Sequence, residues 1–383
     1  MIAAVFIYED NKADNDKSPL LGGWSVVESS GINSEGNFDN SAETLESYKI
    51  LNITEVKDNF FHGKYVDQEV NGTYLDGRLV FRVADNKTLL FDGCVDGDTI
   101  EFILTVESSG DDAFSAYTSY SAIFSKDGSY KVDENSLYPD ITGTGLKLVS
   151  GINAYEGKTT DFVCDMSQTL KIISQEKGAL KGTMEQVVGD NVVKKQIIGN
   201  VSAYGDRVIG RVIDDTGNSW TVSIGNDYLR IVSAMESEIS GIAGQPVAAE
   251  RIYTPGGENA PEITQNLDLT GTEWKSIHSI GITDGEIHLD GTGVHVFKFT
   301  AQTGNLIVGT EDSTEHTDEM ISAYTYVYPG EAAVYMDLLG VDENGHSHAR
   351  ASFSSDGEHM SLIVYSYEDN GEQSVEIIHL EKA

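Results

Sequence analysis

Apolar residues recur along this chain at alternate positions, in short runs broken by Asp, Gly and Asn, and rarely at the 3.6-residue interval of a helix. The middle third shows it most clearly. Leu170-Lys171-Ile172, Leu180 to Met184, Ile197 to Val201, Val208 to Ile213, Trp220 to Ile224 and Tyr228 to Val232 are β-branched or aromatic runs. Turn residues at 215–218 and 225–227 separate the later ones. Such runs at a spacing of about 8–12 residues predict strands of an antiparallel meander. Only Ser233 to Ile239 suits a short helical turn.

One spacing occurs three times: two apolar residues one apart, then seven positions, then an apolar residue one before a glycine. It reads Leu51, Ile53, Phe61, Gly63; Leu170, Ile172, Leu180, Gly182; and Phe297, Phe299, Ile307, Gly309. Each copy follows a Gly-led opening: Gly22 to Leu51, Gly143 to Leu170 and Gly271 to Phe297 are 29, 27 and 26 residues. Repetition at a fixed period decides architecture before any local assignment. Pro19, Pro139, Pro255 and Pro261 stand just ahead of the openings, as boundary markers do. The expected units are 19–138, 139–262 and 263–383, preceded by an apolar and acidic segment, 1–18. Each unit has enough strands to hide its edges by closing on itself. The expectation is therefore an all-β protein of three tandem antiparallel up-and-down β-barrel domains, each about 120 residues long.

The openings read Leu21-Gly22-Gly23-Trp24, Thr142-Gly143-Thr144-Gly145-Leu146 and Thr270-Gly271-Thr272-Glu273-Trp274. This resembles the Gly-x-Trp first strand of lipocalin-like and avidin-like (calycin) barrels, and the later Phe-x-Gly strand is similar to avidin-like barrels. The resemblance implies a tryptophan that plugs one barrel end beneath a ligand cavity. Trp24 and Trp274, with Trp220 as the third tryptophan, are thus candidate plug or cavity residues. Repeat two has Leu146 in the aromatic position and is the expected spacer. The biotin-binding pattern of avidin is not present, so no named ligand follows.

Charge narrows the partners. A formal net charge of −37 excludes general affinity for nucleic acid or anionic membrane surfaces. Cys94 and Cys164 fall in different repeats without CxxC partners, and read as two buried thiols or an inter-domain disulfide. Met1 to Tyr8 is apolar but too short to span a bilayer, which takes about 20 residues. It reads as the tail of a trimmed signal or anchor sequence, or as an extra strand whose Val5, Phe6, Ile7 and Tyr8 pair with a neighbouring molecule. Asn52, Asn71, Asn86 and Asn200 head Asn-x-Ser/Thr sequons, candidate glycosylation sites in an extracellular or cell-surface protein.

Candidate chemistry is sparse. Eight of nine histidines lie in the last third; His346 and His348 alternate on one strand, and with His288 or His295 form a candidate transition-metal set. Asp10, Asp14 and Asp16 support adventitious Ca2+ at most, since a calcium loop's glycine and terminal glutamate are missing. No cofactor is expected. Tyr324, Tyr326 and Tyr328 form a stripe that reads as a cross-strand ladder or, if exposed, a contact surface. No nucleophile elbow, phosphate loop, HExxH or Cys-His pairing occurs. The first reading is a non-enzymatic binding or display protein whose partner is a small apolar ligand or a surface protein. The second is a self-associating subunit of a filament or sheath, assembled by β-strand addition. An enzyme with its site at a barrel mouth is the third.

Overall fold

The computed structural model describes residues 18–383 apart from 34, 40–48, 58–59, 76, 85–87, 108–117, 127–130, 132, 134–136, 144, 157, 162–166, 189, 205–206, 226, 238–242, 258–259, 284–285, 289–293, 315–316, 328–333, 342–344, 355 and 369–372. Val5, Phe6, Ile7 and Tyr8, the Asp10, Asp14 and Asp16 group, Asn86, Cys164 and Tyr328 lie outside the described residues.

Repeat one comprises β1 (Gly22–Asn33), β2 (Phe38–Asp39), β3 (Lys49–Lys57), β4 (Phe60–Tyr65), β5 (Gln68–Leu75), β6 (Arg78–Ala84), β7 (Thr88–Asp96), β8 (Thr99–Glu107) and β9 (Thr118–Ser125). Repeat two comprises β10 (Gly145–Tyr155), β11 (Lys158–Asp161), β12 (Ser167–Glu176), β13 (Ala179–Val188), β14 (Asn191–Tyr204), β15 (Arg207–Asp214), β16 (Ser219–Ile224), β17 (Leu229–Glu236) and β18 (Pro246–Thr254). Repeat three comprises β19 (Glu273–Thr283), β20 (Glu286–His288), β21 (Val296–Thr303), β22 (Leu306–Asp312), β23 (Glu319–Val327), β24 (Val334–Val341), β25 (Gly345–Phe353), β26 (His359–Glu368) and β27 (Gln373–Lys382).

Each repeat forms its own antiparallel sheet. The first strand is split: its near half pairs with the third strand and its far half carries the short second strand as a side hairpin. The other strands follow in sequence order, and the last returns to the first through β1–β9, β10–β18 and β19–β27. The result is three tandem eight-stranded barrels, as the alternation predicted. Ser233–Glu236 belongs to strand β17 rather than to a helical turn, because its residues pair in register with Pro246–Ala249.

The recurring spacing has a physical cause. In each copy the glycine sits directly across from the second apolar residue: Gly63 opposite Ile53, Gly182 opposite Ile172 and Gly309 opposite Phe299. A β-bulge follows at once on the facing strand, at Thr54, Ile173 and Thr300. A Cβ on any of these glycines would be driven against a backbone carbonyl oxygen, that of Asn52, Lys171 or Lys298. The glycine lets two strands approach where the bulge bends the wall, which a small barrel requires.

The openings dock on the same place. Gly22 pairs with Ile53, while the Gly143 and Gly271 N–H groups donate to the carbonyls of Ile172 (3.1 Å) and Phe299 (2.8 Å). All three opening glycines have positive φ, +115°, +78° and +72°, which favours glycine there. The similar interval from opening to motif is thus the chain length needed to bring one glycine back onto one bulge. A second bulge recurs in the first strand, at Val27, Val149 and Ile277, where it crosses to the last strand.

The barrels touch at two contrasting interfaces. Between one and two, Ser30 Oγ accepts from the Ala179 N–H at 2.7 Å, Asn200 Nδ2 donates to Ser119 Oγ at 2.9 Å, and Lys177 pairs with Glu28 at 2.7 Å. Ile32, Ala179 and Ile198 form a small apolar contact beside them. Between two and three the apolar contact is larger and includes Val232, Ala248, Leu306, Val308, Tyr324 and Tyr326. There the Asp337 carboxylate accepts from Arg211 (3.1 Å), Arg350 (2.5 Å), Tyr324 (2.8 Å) and Tyr326 (3.0 Å). Tyr324 and Tyr326 are buried here, so this part of the tyrosine stripe joins two barrels instead of facing solvent.

Candidate functional site

The three tryptophans do different jobs. Trp24 and Trp274 are fully buried on the equivalent position of β1 and β19, opposite Leu51 and Phe297. Their indole N–H groups are satisfied locally, Trp24 by the Leu20 carbonyl at 2.9 Å and Trp274 by Thr272 Oγ1 at 3.0 Å. Lys126 covers the Trp24 ring at 5.0 Å, and Phe353 meets Trp274 edge-on at 5.6 Å. Both are end plugs. Trp220 instead lines a cavity, and its buried Nε1 has no hydrogen-bond partner among the described residues.

That cavity lies in barrel two and measures about 340 Å³, within the range of about 300–1,000 Å³ of ligand pockets. Its depth follows from the alternation of β18, whose inward positions run Val247, Ala249, Arg251, Tyr253. Tyr253 belongs to the core, and its hydroxyl donates to Gln168 Oε1 at 2.6 Å, which fixes the side of the floor. Arg251 stands above it, only 7% exposed. Its guanidinium donates to the carbonyls of Ile152 (3.0 Å) and Glu250 (2.7 Å) and to Asn153 Oδ1 (2.8 Å). Burial pulls the Arg251 pKa down to about 10, with nearby Tyr253 and Glu250 acting the other way, so it stays cationic at neutral pH. Met184, Met235, Val247 and Ala249 supply apolar wall. Lys195 also lines the cavity but is paired with Asp214 at 3.2 Å. The repeat expected to be the spacer therefore carries a cavity.

Barrel three carries different side chains at the equivalent positions. His295, Glu311 and Glu376 occupy the positions that Gln168, Met184 and Ala249 hold in barrel two, as the pairings Trp274–Phe297–Glu311 and Leu146–Leu170–Met184, with Ser276–Leu380 and Leu148–Tyr253 on the last strands, establish. His295 Nδ1 meets Glu311 at 2.8 Å and its Nε2 meets Glu376 at 3.4 Å. Burial alone would lower the His295 pKa, but the two carboxylates outweigh it and raise it to about 10. Glu376 is lowered: burial would raise it, but its bond to His295 prevails.

Of the candidate metal set, His295 is committed to other partners. Both His295 ring nitrogens are engaged on opposite sides by carboxylates, and a protonated imidazole is no metal ligand. His295 points into barrel three, whereas His348 lies on the opposite face of β25 from the core residues Ala349 and Ala351. His346 shares that strand, and His288 sits on β20 opposite Gly281. Three intervening strands, β22 to β24, separate β21, which follows His295, from β25, which carries His348, so these two are not brought together. No metal-binding cluster occurs among the described residues. Ser361 and His379 bond at 3.1 Å, but as directly opposed residues on β26 and β27, a cross-strand pair.

The sequons separate as well. Asn52 is exposed, and Asn71 is half-buried with its Oδ1 2.9 Å from His62 Nδ1. Asn200 is fully buried at the interface of barrels one and two, where a glycan has no room. Cys94 is partly buried on β7. Sequence reasoning passed over Arg251, though a signal existed: one charged residue at an inward position of a strand, between Ala249 and Tyr253.

No family model matches the chain, and no curated protein matches its sequence. Among solved structures, it is similar to a Bacteroides fragilis protein provisionally assigned to the outer membrane, at 9% identity and TM-score 0.24, over 62% of this chain and 97% of that one. It is also similar to a Nostoc punctiforme protein of unknown function from the DUF3598 family, at 10% identity and TM-score 0.23, over 66% and 100%. A third is a mutant of the vaccine antigen transferrin binding protein B from Haemophilus parasuis, at 8% identity and TM-score 0.22, over 94% and 75%. These likenesses are distant, and the site rests on this chain's own geometry.

Proposed function

We propose that the chain is a non-enzymatic binding protein of the extracellular space or cell surface, built of three barrels of the lipocalin-like and avidin-like kind. In this reading barrel two takes one small molecule with an apolar body and a hydrogen-bond acceptor. One observation carries it: a cavity of about 340 Å³ combines apolar wall with the buried Arg251 and the unpartnered Trp220 N–H. A buried donor left without a partner costs about 1–3 kcal/mol, which a ligand acceptor would recover. Barrels one and three act as fixed flanks in this scheme, held through the two interfaces. The surface location rests on the sequence, with Asn52 as the exposed sequon.

Native mass spectrometry of the full chain tests the proposal. The expected result is one small molecule per chain, lost in Ala249→Phe, whose ring fills the cavity. A chain that carries no small molecule, and takes up none from a panel of apolar carbonyl and carboxylate compounds, overturns it.

A further inference from the structure

The interface between barrels two and three lies directly behind the barrel-two cavity. Along β16 Trp220 turns inward to the cavity and its neighbour Thr221 turns outward, where Thr221 Oγ1 and the Tyr324 hydroxyl of barrel three are 2.6 Å apart. Arg211 pairs directly across from Thr221 on β15, and its guanidinium donates to Asp337 of barrel three at 3.1 Å. The last two strands repeat the arrangement. Ala234 and Ala248 pack toward barrel three, while Met235, Val247 and Ala249 line the cavity.

Hydrogen-bond direction specifies the contact. The Asp337 carboxylate only accepts, so the Tyr324 hydroxyl, 2.8 Å away, donates to it and accepts from Thr221. Arg350 and Tyr326 hold the same carboxylate from within barrel three. Charge-assisted bonds of this kind, in a buried setting, fix geometry as well as adding energy. The interface of barrels one and two has no such relation to the cavity. Its contacts fall on Lys177, Ala179, Ile198 and Asn200, set back along β13 and β14 from the lining residues Met184 and Lys195.

We propose that barrel three positions the cavity wall of barrel two, with Tyr324 and Asp337 as positioning residues that act on the Trp220 indole through Thr221 and Arg211. The chain of contacts is continuous from Asp337 to the strand that carries Trp220. Barrel three thereby sets where the unpartnered Trp220 N–H stands. Use of that N–H by a ligand rests on the preceding reading; the positioning does not.

Each barrel holds one tryptophan, Trp24, Trp220 or Trp274, which makes the positioning measurable. Fluorine NMR of the full chain labelled with 5-fluorotryptophan gives one resonance for each, and the Trp220 resonance is the one lost in Trp220→Phe. Tyr324→Phe removes a hydroxyl and keeps the ring; it is expected to shift or broaden the Trp220 resonance and leave the other two, which report that barrels one and three are folded. Thr221→Val should act alike, and Thr221→Ser, which keeps the hydroxyl, should restore the wild-type position. Lys177→Met, at the other interface, should leave Trp220 in place. If the Trp220 resonance stays put in both Tyr324→Phe and Thr221→Val, or moves as far in Lys177→Met, the positioning is overturned. Binding of 1-anilinonaphthalene-8-sulfonate to the same chains is the second readout, expected to be about 2–10-fold weaker in Tyr324→Phe, the span of one neutral hydrogen bond. If wild type takes no probe, the barrel-two reading falls, and the resonances still decide the positioning.

Discussion

In barrel one, Phe81 and Phe91 stack 4.4 Å apart and nearly parallel, while Phe61 and Phe102 meet Phe81 edge-on at 5.9 Å and Tyr65 closes against Phe91 at 4.7 Å. In barrel two Leu170, Ile172, Leu180, Ile197, Val212 and Val222 pack around a pocket of about 10 Å³, and the larger cavity lies beside Trp220. Both barrels have the same strand order, the same two bulges and the same glycine opposite the motif. The wall is constant and the filling varies. Tyr65 in barrel one, Met184 in barrel two and Glu311 in barrel three occupy one equivalent position, so the side chain there helps decide whether a barrel is packed, hollow or bridged by charge.

Emptying barrel one should give the largest effect. Phe81→Ala is expected to cost about 3–5 kcal/mol in denaturant unfolding, because four aromatic rings, Phe61, Tyr65, Phe91 and Phe102, lose their common partner. If it costs less than 1 kcal/mol, the rings are not what fills that barrel. The shared wall is tested next. Gly182→Ala forces a Cβ against the Lys171 carbonyl oxygen, and overpacking of this kind costs about 1–3 kcal/mol. Gly63→Ala and Gly309→Ala should behave alike, read as a fall in melting temperature of the full chain. A neutral result in all three would remove the account of the repeat.

The smallest expected effect concerns barrel three. His295 has its pKa raised to about 10, so its stabilising contribution is complete below its ordinary value of 6.5 and is lost as pH rises through 10. Glu376, lowered in the fold, contributes above its ordinary value of 4.5 and loses that contribution as pH falls below it. Melting temperature should therefore decline between pH 7 and 10.5, and His295→Gln should flatten that decline. An unchanged alkaline slope in the variant would break the link between the triad and barrel stability.

Much of the wall was legible in the sequence because it depends on local spacing. Alternation gave the strands, and Gly63, Gly182 and Gly309 stand where a steric rule holds whatever surrounds them. The first-strand bulge was not legible: Val27, Val149 and Ile277 are apolar residues at positions outside the alternation, and look like ordinary strand. Nor was the cavity, since Met184, Trp220, Ala249 and Arg251 come from four strands and meet only after closure. The tryptophan pattern misled for the same reason. It marked Trp24 and Trp274, whose N–H groups are already satisfied, and made Leu146 look like loss of function in a barrel that holds a cavity.

The central claim is that barrel two is hollow enough to bind. Stoichiometric titration of the full chain with a fluorescent apolar anion, 1-anilinonaphthalene-8-sulfonate, tests it most directly. One probe per chain is expected, abolished by Ala249→Phe and joined by a second in Phe81→Ala. Three equivalent probes per chain, or a single one indifferent to Ala249→Phe, would contradict it.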